Sequence, residues 1–175
     1  MSLNKIIIGP KLGNFGGVSN YWRAINIYLP AKVNYIGFKT SINYSKFNIF
    51  KDVLNISKSL SKTKIDTLMV NISIDYVSIF RALIFILVSK AEKKVIFIRG
   101  WKSFAERSII LNFFLNILLK FSHELLVLSS EFKNDLILNN NFLSTINLET
   151  TKYEYTDSHQ ICSFNKKNLI FCSRL

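Results

Sequence analysis

Short apolar runs alternate with longer segments of helical period along most of this chain. The short runs are rich in β-branched and aromatic residues, and their near-continuous apolar character is typical of strands covered on both faces of a sheet. They predict strands over 5–8, 33–38, 67–71, 94–98, 124–128 and 145–148. The longer segments place apolar residues three and four positions apart. They predict helices over 18–29, 47–60, 76–89, 106–121 and 130–138.

This alternation predicts an α/β fold with a doubly wound, mostly parallel, Rossmann-like sheet. A length of 175 residues suits one domain, which we expect over 1–165. Another strand-like run follows at 168–173, and we expect 166–175 to begin a second domain. Ser129 or Ser130 is expected to cap the last helix.

The composition limits the classes of protein to which this chain can belong. Hydrophobic residues make up 49% of the chain, which excludes a disordered polypeptide. Cys162 and Cys172 are too few for a disulfide scaffold and favour the reducing cytoplasm, and with only two histidines we expect no metal site. The longest apolar runs, 82–88 and 109–119, are shorter than the roughly 20 residues that span a bilayer.

The net charge of +12 indicates phosphate-bearing partners. Nucleic acid, an anionic membrane surface and small phosphorylated substrates all present clustered anionic oxygens. Basic residues are scattered along the chain, which weakens the nucleic-acid interpretation. Arg81, Lys102 and Arg107 are expected either to supply charge to a cleft or to lie on solvated helix faces.

A glycine-rich loop, GPKLGNFGG at 9–17, follows the first strand and leads into a helix. Glycines let the backbone approach a ligand, and the free amides of a helix N-terminus favour an anion. A tight turn without a ligand is the alternative. The spacing differs from the dinucleotide and P-loop motifs, and Gly37, Phe38 and Lys39 stand where a dehydrogenase needs an acidic residue.

Polar and aromatic residues also follow two other strands. Asn71 and Ser73 end the third strand, where they could bind a sugar hydroxyl or a phosphate, or cap the next helix. After the fourth strand, Arg99 could hold a phosphate through a bidentate contact and Trp101 could stack on a sugar face. A plain surface turn over 99–101 is the alternative. His123 is expected to have a local structural role.

Four segments, at 5–18, 95–101, 124–132 and 168–175, resemble in order and spacing the N-terminal domain of family 4 glycosyltransferases. These are GT-B enzymes with two facing Rossmann-like domains and an active site in the cleft between them. The match spans nearly the whole chain. One departure is the loop after the fourth strand, where many family members carry a histidine and this chain has Arg99, Gly100 and Trp101.

The resemblance implies an acceptor-side domain of a retaining, hexosyltransferase-type enzyme that transfers sugar from a nucleotide sugar to a saccharide or lipid-linked acceptor in glycan or polysaccharide synthesis. It implies no cofactor, and a peripheral position on the inner face of the membrane. The family's donor-binding glutamates belong to its C-terminal domain, so we expect the chain to be inactive without that domain. The predicted donor-diphosphate and acceptor site is Gly16, Gly17, Asn71, Ser73, Arg99, Gly100 and Trp101.

Two function classes outside the enzymes fit the same sequence. One is a noncatalytic interaction domain that keeps the fold. The other is a basic nucleic-acid-binding protein of α/β fold, which would use the positive field and bind DNA or RNA in a salt-dependent way.

Overall fold

The computed structural model describes residues 4–12, 17–26, 29, 33–38, 46–139 and 147–150. The strands are β1 Lys5–Pro10, β2 Val33–Phe38, β3 Thr67–Ser73, β4 Lys93–Gly100, β5 Glu124–Val127 and β6 Asn147–Thr150. The helices are α1 Gly17–Asn26, α2 Lys46–Lys62, α3 Tyr76–Val88, α4 Ile109–Lys120 and α5 Ser130–Asn139, with a 3-10 turn at Phe104–Glu106. Every predicted element within these ranges is confirmed, while the strand predicted at 168–173 lies outside them.

All six strands form one sheet in the order β2-β1-β3-β4-β5-β6, and every pair is parallel. This confirms the predicted doubly wound, Rossmann-like α/β fold. The winding reverses at β1, because β2 lies on one side of it and all later strands lie on the other. In sheets of this kind, ligands bind outside the carboxyl ends of the strands where the order reverses. Here that point lies between β1 and β3.

The two faces of the sheet carry unequal layers. Strand residues alternate between them, so Ile6 and Ile8 join a large core with α2, α3 and α4, while Ile7 joins a smaller one with α1. The helix α3 packs between α2 and α4 in the thicker layer. The smaller core is aromatic, and Tyr21 and Trp22 of α1 cover Phe97 of β4.

Side-chain caps fix the starts of three helices. The Asp75 carboxylate accepts from the Ser78 amide at 2.8 Å and caps α3, and the Ser108 hydroxyl accepts from the Leu111 amide at 3.2 Å and caps α4. For α5, the Ser129 hydroxyl accepts from the Phe132 amide at 3.3 Å, which confirms Ser129 as the predicted cap. Caps of this kind contribute about 1 kcal/mol each. The predicted helix at 106–121 begins three residues late because Ser108 starts it.

The helix α3 offers a matched test of this packing, because Phe85 is fully buried in the large core whereas Phe80 is 57% exposed. We expect Phe85→Ala to lower the free energy of unfolding by about 3–5 kcal/mol, since it removes buried apolar surface and leaves a cavity. Phe80→Ala should change it by less than about 0.5 kcal/mol. Urea denaturation followed by circular dichroism measures both. Equal losses for the two variants would contradict the packing of α3.

Candidate binding site at the carboxyl edge of the sheet

A bulge in β4 places Arg99 at the carboxyl edge of the sheet. Ile72 of β3 pairs with Ile98, but the next residue, Ser73, pairs with Gly100, so Arg99 has no counterpart on β3. Bulges re-aim side chains and occur often beside functional sites. The Arg99 guanidinium carbon lies 3.7 Å from the centroid of the Tyr21 ring. Arg99 is therefore buried beneath α1, with only 8% of the residue exposed.

The environment of Arg99 shifts several protonation equilibria. Burial lowers the pKa of Arg99 to about 10, while Tyr21 and Tyr35 act in the opposite direction. Arg99 therefore remains a cation at neutral pH. Burial also raises the pKa of Tyr21 to about 12 and raises that of Tyr35, with the Arg99 charge opposing both shifts. Both phenols are neutral at physiological pH and can donate hydrogen bonds.

Asn71 is a polar residue of β3 on the α1 face of the sheet. It pairs in register with Phe97 and is 4% exposed. Neither its amide nitrogen nor its amide oxygen has a hydrogen-bond partner among the described residues. A buried polar group left in this state costs about 1–3 kcal/mol. The alternative role as a helix cap does not apply, because Asp75 caps α3. The donors and the acceptor of the Asn71 amide thus remain unused among the described residues.

Gly9 allows the Tyr35 hydroxyl and the Asn71 amide to approach the backbone of β1 closely. A methyl group at Gly9 would collide with the Tyr35 hydroxyl and lie 3.3 Å from Asn71 Nδ2. Tyr35 in turn donates a hydrogen bond to the Pro10 carbonyl at 2.6 Å, which ties β2 to the end of β1. Sequence reasoning missed Gly9 and Tyr35 as site residues. The available signal was strand alternation, which places Tyr35 on the same sheet face as Ile7.

The helix α1 adds a further donor to this group. Trp22 is 4% exposed, and its Nε1–H has no acceptor among the described residues. Its ring contacts Tyr21 edge-on, with centroids 5.2 Å apart, and lies tilted against Tyr35 at 5.7 Å. We call Gly9, Trp22, Tyr35, Asn71 and Arg99 the edge cluster. Most of its side-chain polar groups are hydrogen-bond donors.

The helix α1 begins at the end of the glycine-rich segment. Gly17 is the first residue of α1, which confirms that a helix begins at the predicted loop. Its N-terminus follows the carboxyl end of β1 and adds the positive end of the helix dipole there. Gly16 lies outside the described residues.

The other predicted site residues have packing roles. A methyl group at Gly100 would collide with the Ser73 side chain, so these residues hold the ends of β3 and β4 together. The Trp101 ring stacks on Phe132 of α5, with centroids 4.3 Å apart and planes 2° from parallel. Arg107 also lies over that ring, 4.8 Å from its centroid. The structure thus brings Asn71 and Arg99 to one face and turns Trp101 toward α5.

Arg107 anchors the loop after β4. It donates to the Lys102 carbonyl at 2.6 Å and to the Asp135 carboxylate at 2.7 Å, and its side chain is fully buried. Burial lowers the Arg107 pKa, while Asp135 opposes the shift. A solvated position is therefore wrong for Arg107, and also for Arg81, which is 9% exposed and stacks on Phe38. Arg81 lies in the middle of α3 and Arg107 directly follows the 3-10 turn, and both side chains are packed among other residues.

His123 has the local role expected from the sequence. Its Nδ1 accepts a hydrogen bond from the Lys94 amide at 3.1 Å, and its own amide donates to the Lys94 carbonyl at 2.8 Å. Among the residues that the structure describes, no group of three or more His, Cys, Asp or Glu could hold a metal ion. The five residues of the edge cluster supply hydrogen-bond donors, an amide and a cation, and include no carboxylate, imidazole or thiol.

No protein-family model matches the chain, and no curated protein matches it either. None of the described helices is long and apolar enough to cross a bilayer.

Replacing Asn71 with leucine should stabilise the unliganded protein by about 1 kcal/mol, because an apolar side chain of similar size removes an amide whose hydrogen bonds are unmade. Urea denaturation measures the change. The control is Asn134→Leu on the exposed surface of α5, which should alter stability by less than about 0.5 kcal/mol. A loss of more than about 1 kcal/mol for Asn71→Leu would mean that its amide is already satisfied.

Tyr21 should titrate late in alkali. The unfolded chain releases this proton near pH 10.0, whereas the folded protein holds it to about pH 12. The resulting contribution to stability is fully present below pH 10.0 and is lost as the pH rises toward 12. Phenolate absorbance measured against pH should show a late component that is smaller by one tyrosine in Tyr21→Phe, while the contribution of Tyr35, whose pKa burial also raises, remains. An unchanged late component in Tyr21→Phe would contradict the burial of this phenol.

Proposed function

We propose that this chain is the acceptor-side domain of a retaining, nucleotide-sugar-dependent glycosyltransferase, and that the edge cluster binds sugar hydroxyls and the donor diphosphate. The observation that carries the proposal is Asn71, a buried amide without hydrogen-bond partners among the described residues, on the same face of the sheet as the buried Arg99. Both belong to the carboxyl edge of a doubly wound sheet, where ligands of this fold class bind. The sequence resemblance supplies the type of reaction.

Each part of the cluster suits one part of a nucleotide sugar. The Arg99 guanidinium is a fixed cation under α1 and could neutralise charge on a diphosphate. The Asn71 amide offers one acceptor and two donors, which matches the mixed hydrogen bonding of a sugar hydroxyl. The start of α1 at Gly17 adds amide donors for a phosphate oxygen. These groups would hold the nucleotide sugar and the acceptor in the relative positions that sugar transfer requires.

The proposed contribution to catalysis is positioning and charge stabilisation. As the bond from the anomeric carbon to the diphosphate breaks, negative charge develops on the departing phosphate oxygen. A preorganised cation and amide donors stabilise that charge more than they stabilise the ground state. Neither effect requires a nucleophile or a general base from the edge cluster.

Binding can be tested by nuclear magnetic resonance titration with pyrophosphate, uridine diphosphate and guanosine diphosphate, followed by the corresponding nucleotide sugars. We expect shifts at Gly9, Gly100 and the Asn71 side-chain amide. Arg99→Met should weaken diphosphate binding at least about tenfold, because a charge-assisted hydrogen bond contributes about 1.5–3 kcal/mol. Asn71→Leu should weaken the binding of a nucleotide sugar more than that of its nucleoside diphosphate.

Two surface variants serve as matched controls. Arg23→Met removes the same charge from the exposed side of α1, and Asn134→Leu removes an exposed amide from α5. Neither should change the dissociation constants. Absence of shifts at millimolar ligand would contradict the proposal, as would equal weakening by Arg23→Met and Arg99→Met. Tighter, salt-dependent binding of RNA at the same residues would favour the nucleic-acid alternative.

A further inference from the structure

The outer surface of the thick helical layer exposes large apolar side chains on three neighbouring helices. We call this surface the apolar face. Each of its members is more than half exposed: Phe50, Leu54, Val77, Phe80, Leu87, Ile109, Ile110 and Phe113. They lie on α2, α3 and α4, which pack side by side, and the Tyr76 hydroxyl bonds to Ser108 Oγ where α3 and α4 begin. The exposed groups therefore belong to one surface.

Helical spacing aligns these residues in stripes. On α3, Val77, Phe80 and Leu87 follow intervals of three and seven, which keeps them on one side of the helix. The opposite side of α3 is buried against the sheet. A helix that is apolar all round is typical of a buried or membrane-contacting element. Soluble monomers seldom expose such residues in contiguous groups.

Charge around the apolar face is strongly one-sided. On α2, Phe50 and Leu54 continue at four-residue spacing into Lys58 and Lys62, so one stripe changes from apolar to basic. The three helices together carry six basic residues, of which Arg81 is buried, and one acidic residue, Asp52. Anionic lipid surfaces attract clustered lysines. A second copy of the chain would bring two sets of lysines together, which disfavours a symmetric pair on this face.

We propose that the apolar face docks onto an anionic lipid bilayer, with its Phe, Ile, Leu and Val side chains at the boundary between headgroups and acyl chains and its lysines against lipid phosphates. The protein would bind at the bilayer surface and not span it, because the two most apolar helices, α3 and α4, have only 13 and 12 residues. The proposal rests on exposure and charge alone. It holds whether or not the edge cluster binds a nucleotide sugar.

Flotation of the full chain with vesicles tests the apolar part of the proposal. We expect binding to vesicles that contain phosphatidylglycerol and much weaker binding to pure phosphatidylcholine, with salt reducing the former. The double variant Ile109→Ser/Phe113→Ser should lower the partition coefficient at least about tenfold, because each side chain loses favourable transfer free energy. Leu138→Ser is the control, since Leu138 is 81% exposed on α5, outside the apolar face. It should bind as the unchanged protein does.

A second pair of variants tests the charge. Lys58→Glu on α2 and Arg23→Glu on α1 change net charge equally, but they lie on opposite sides of the sheet. Only Lys58→Glu should reduce vesicle binding, by at least about threefold, since one basic residue near the surface contributes about 1 kcal/mol. Circular dichroism confirms that each variant folds.

Three results would overturn the proposal. One is absence of flotation with phosphatidylglycerol at low salt. Another is equal loss of binding in Leu138→Ser and in the Ile109→Ser/Phe113→Ser variant. The third is a dimer, seen by light scattering, that this double variant dissociates while vesicles bind neither form, since this would assign the apolar face to a second copy.

Discussion

A parallel strand cannot turn directly into its neighbour, so each connection between strands must return across the sheet. In this chain the return segments include the helices α1 to α5, and all six strands run the same way. The carboxyl ends of β1, β3 and β4 therefore meet at one edge, although 90 residues of sequence separate Gly9 from Arg99. The remaining features of the site depend on that constraint. The parallel sheet thus brings side chains that are far apart in sequence into one environment.

The structure also buries three positively charged side chains. Arg81, Arg99 and Arg107 are each less than one-tenth exposed, and each lies over an aromatic ring. Burial lowers the pKa values of Arg81 and Arg99 to about 10, so both remain charged near pH 7. Stacking on a ring face is a weak form of compensation compared with a carboxylate. Arg107 also forms an ion pair with Asp135.

The order of strands and helices was predictable because apolar periodicity reports directly on burial. The prediction for β2 matches the observed Val33–Phe38 at both ends. Asn71 and Arg99 were also predictable as candidates, since both follow apolar runs at strand ends. The bulge was not, because a ladder that skips one residue leaves no trace in the periodicity of a single strand. The contacts of Trp101 could not be predicted either, because Phe132 and Arg107 reach its ring only through tertiary packing.

The bulge at Arg99 also bears on how such a site could be gained or lost in evolution. Without Arg99, Ile98 and Gly100 would be consecutive residues that pair in unbroken register with Ile72 and Ser73 of β3. The two strands would then pair along their full length. Loss of one codon would thus leave the hydrogen-bonded ladder whole and remove the cation beneath α1. A deletion of one residue could therefore remove the positive charge at this edge without interrupting the pairing of β3 with β4. A relative of this chain could therefore keep the same sheet without a buried positive charge at this edge.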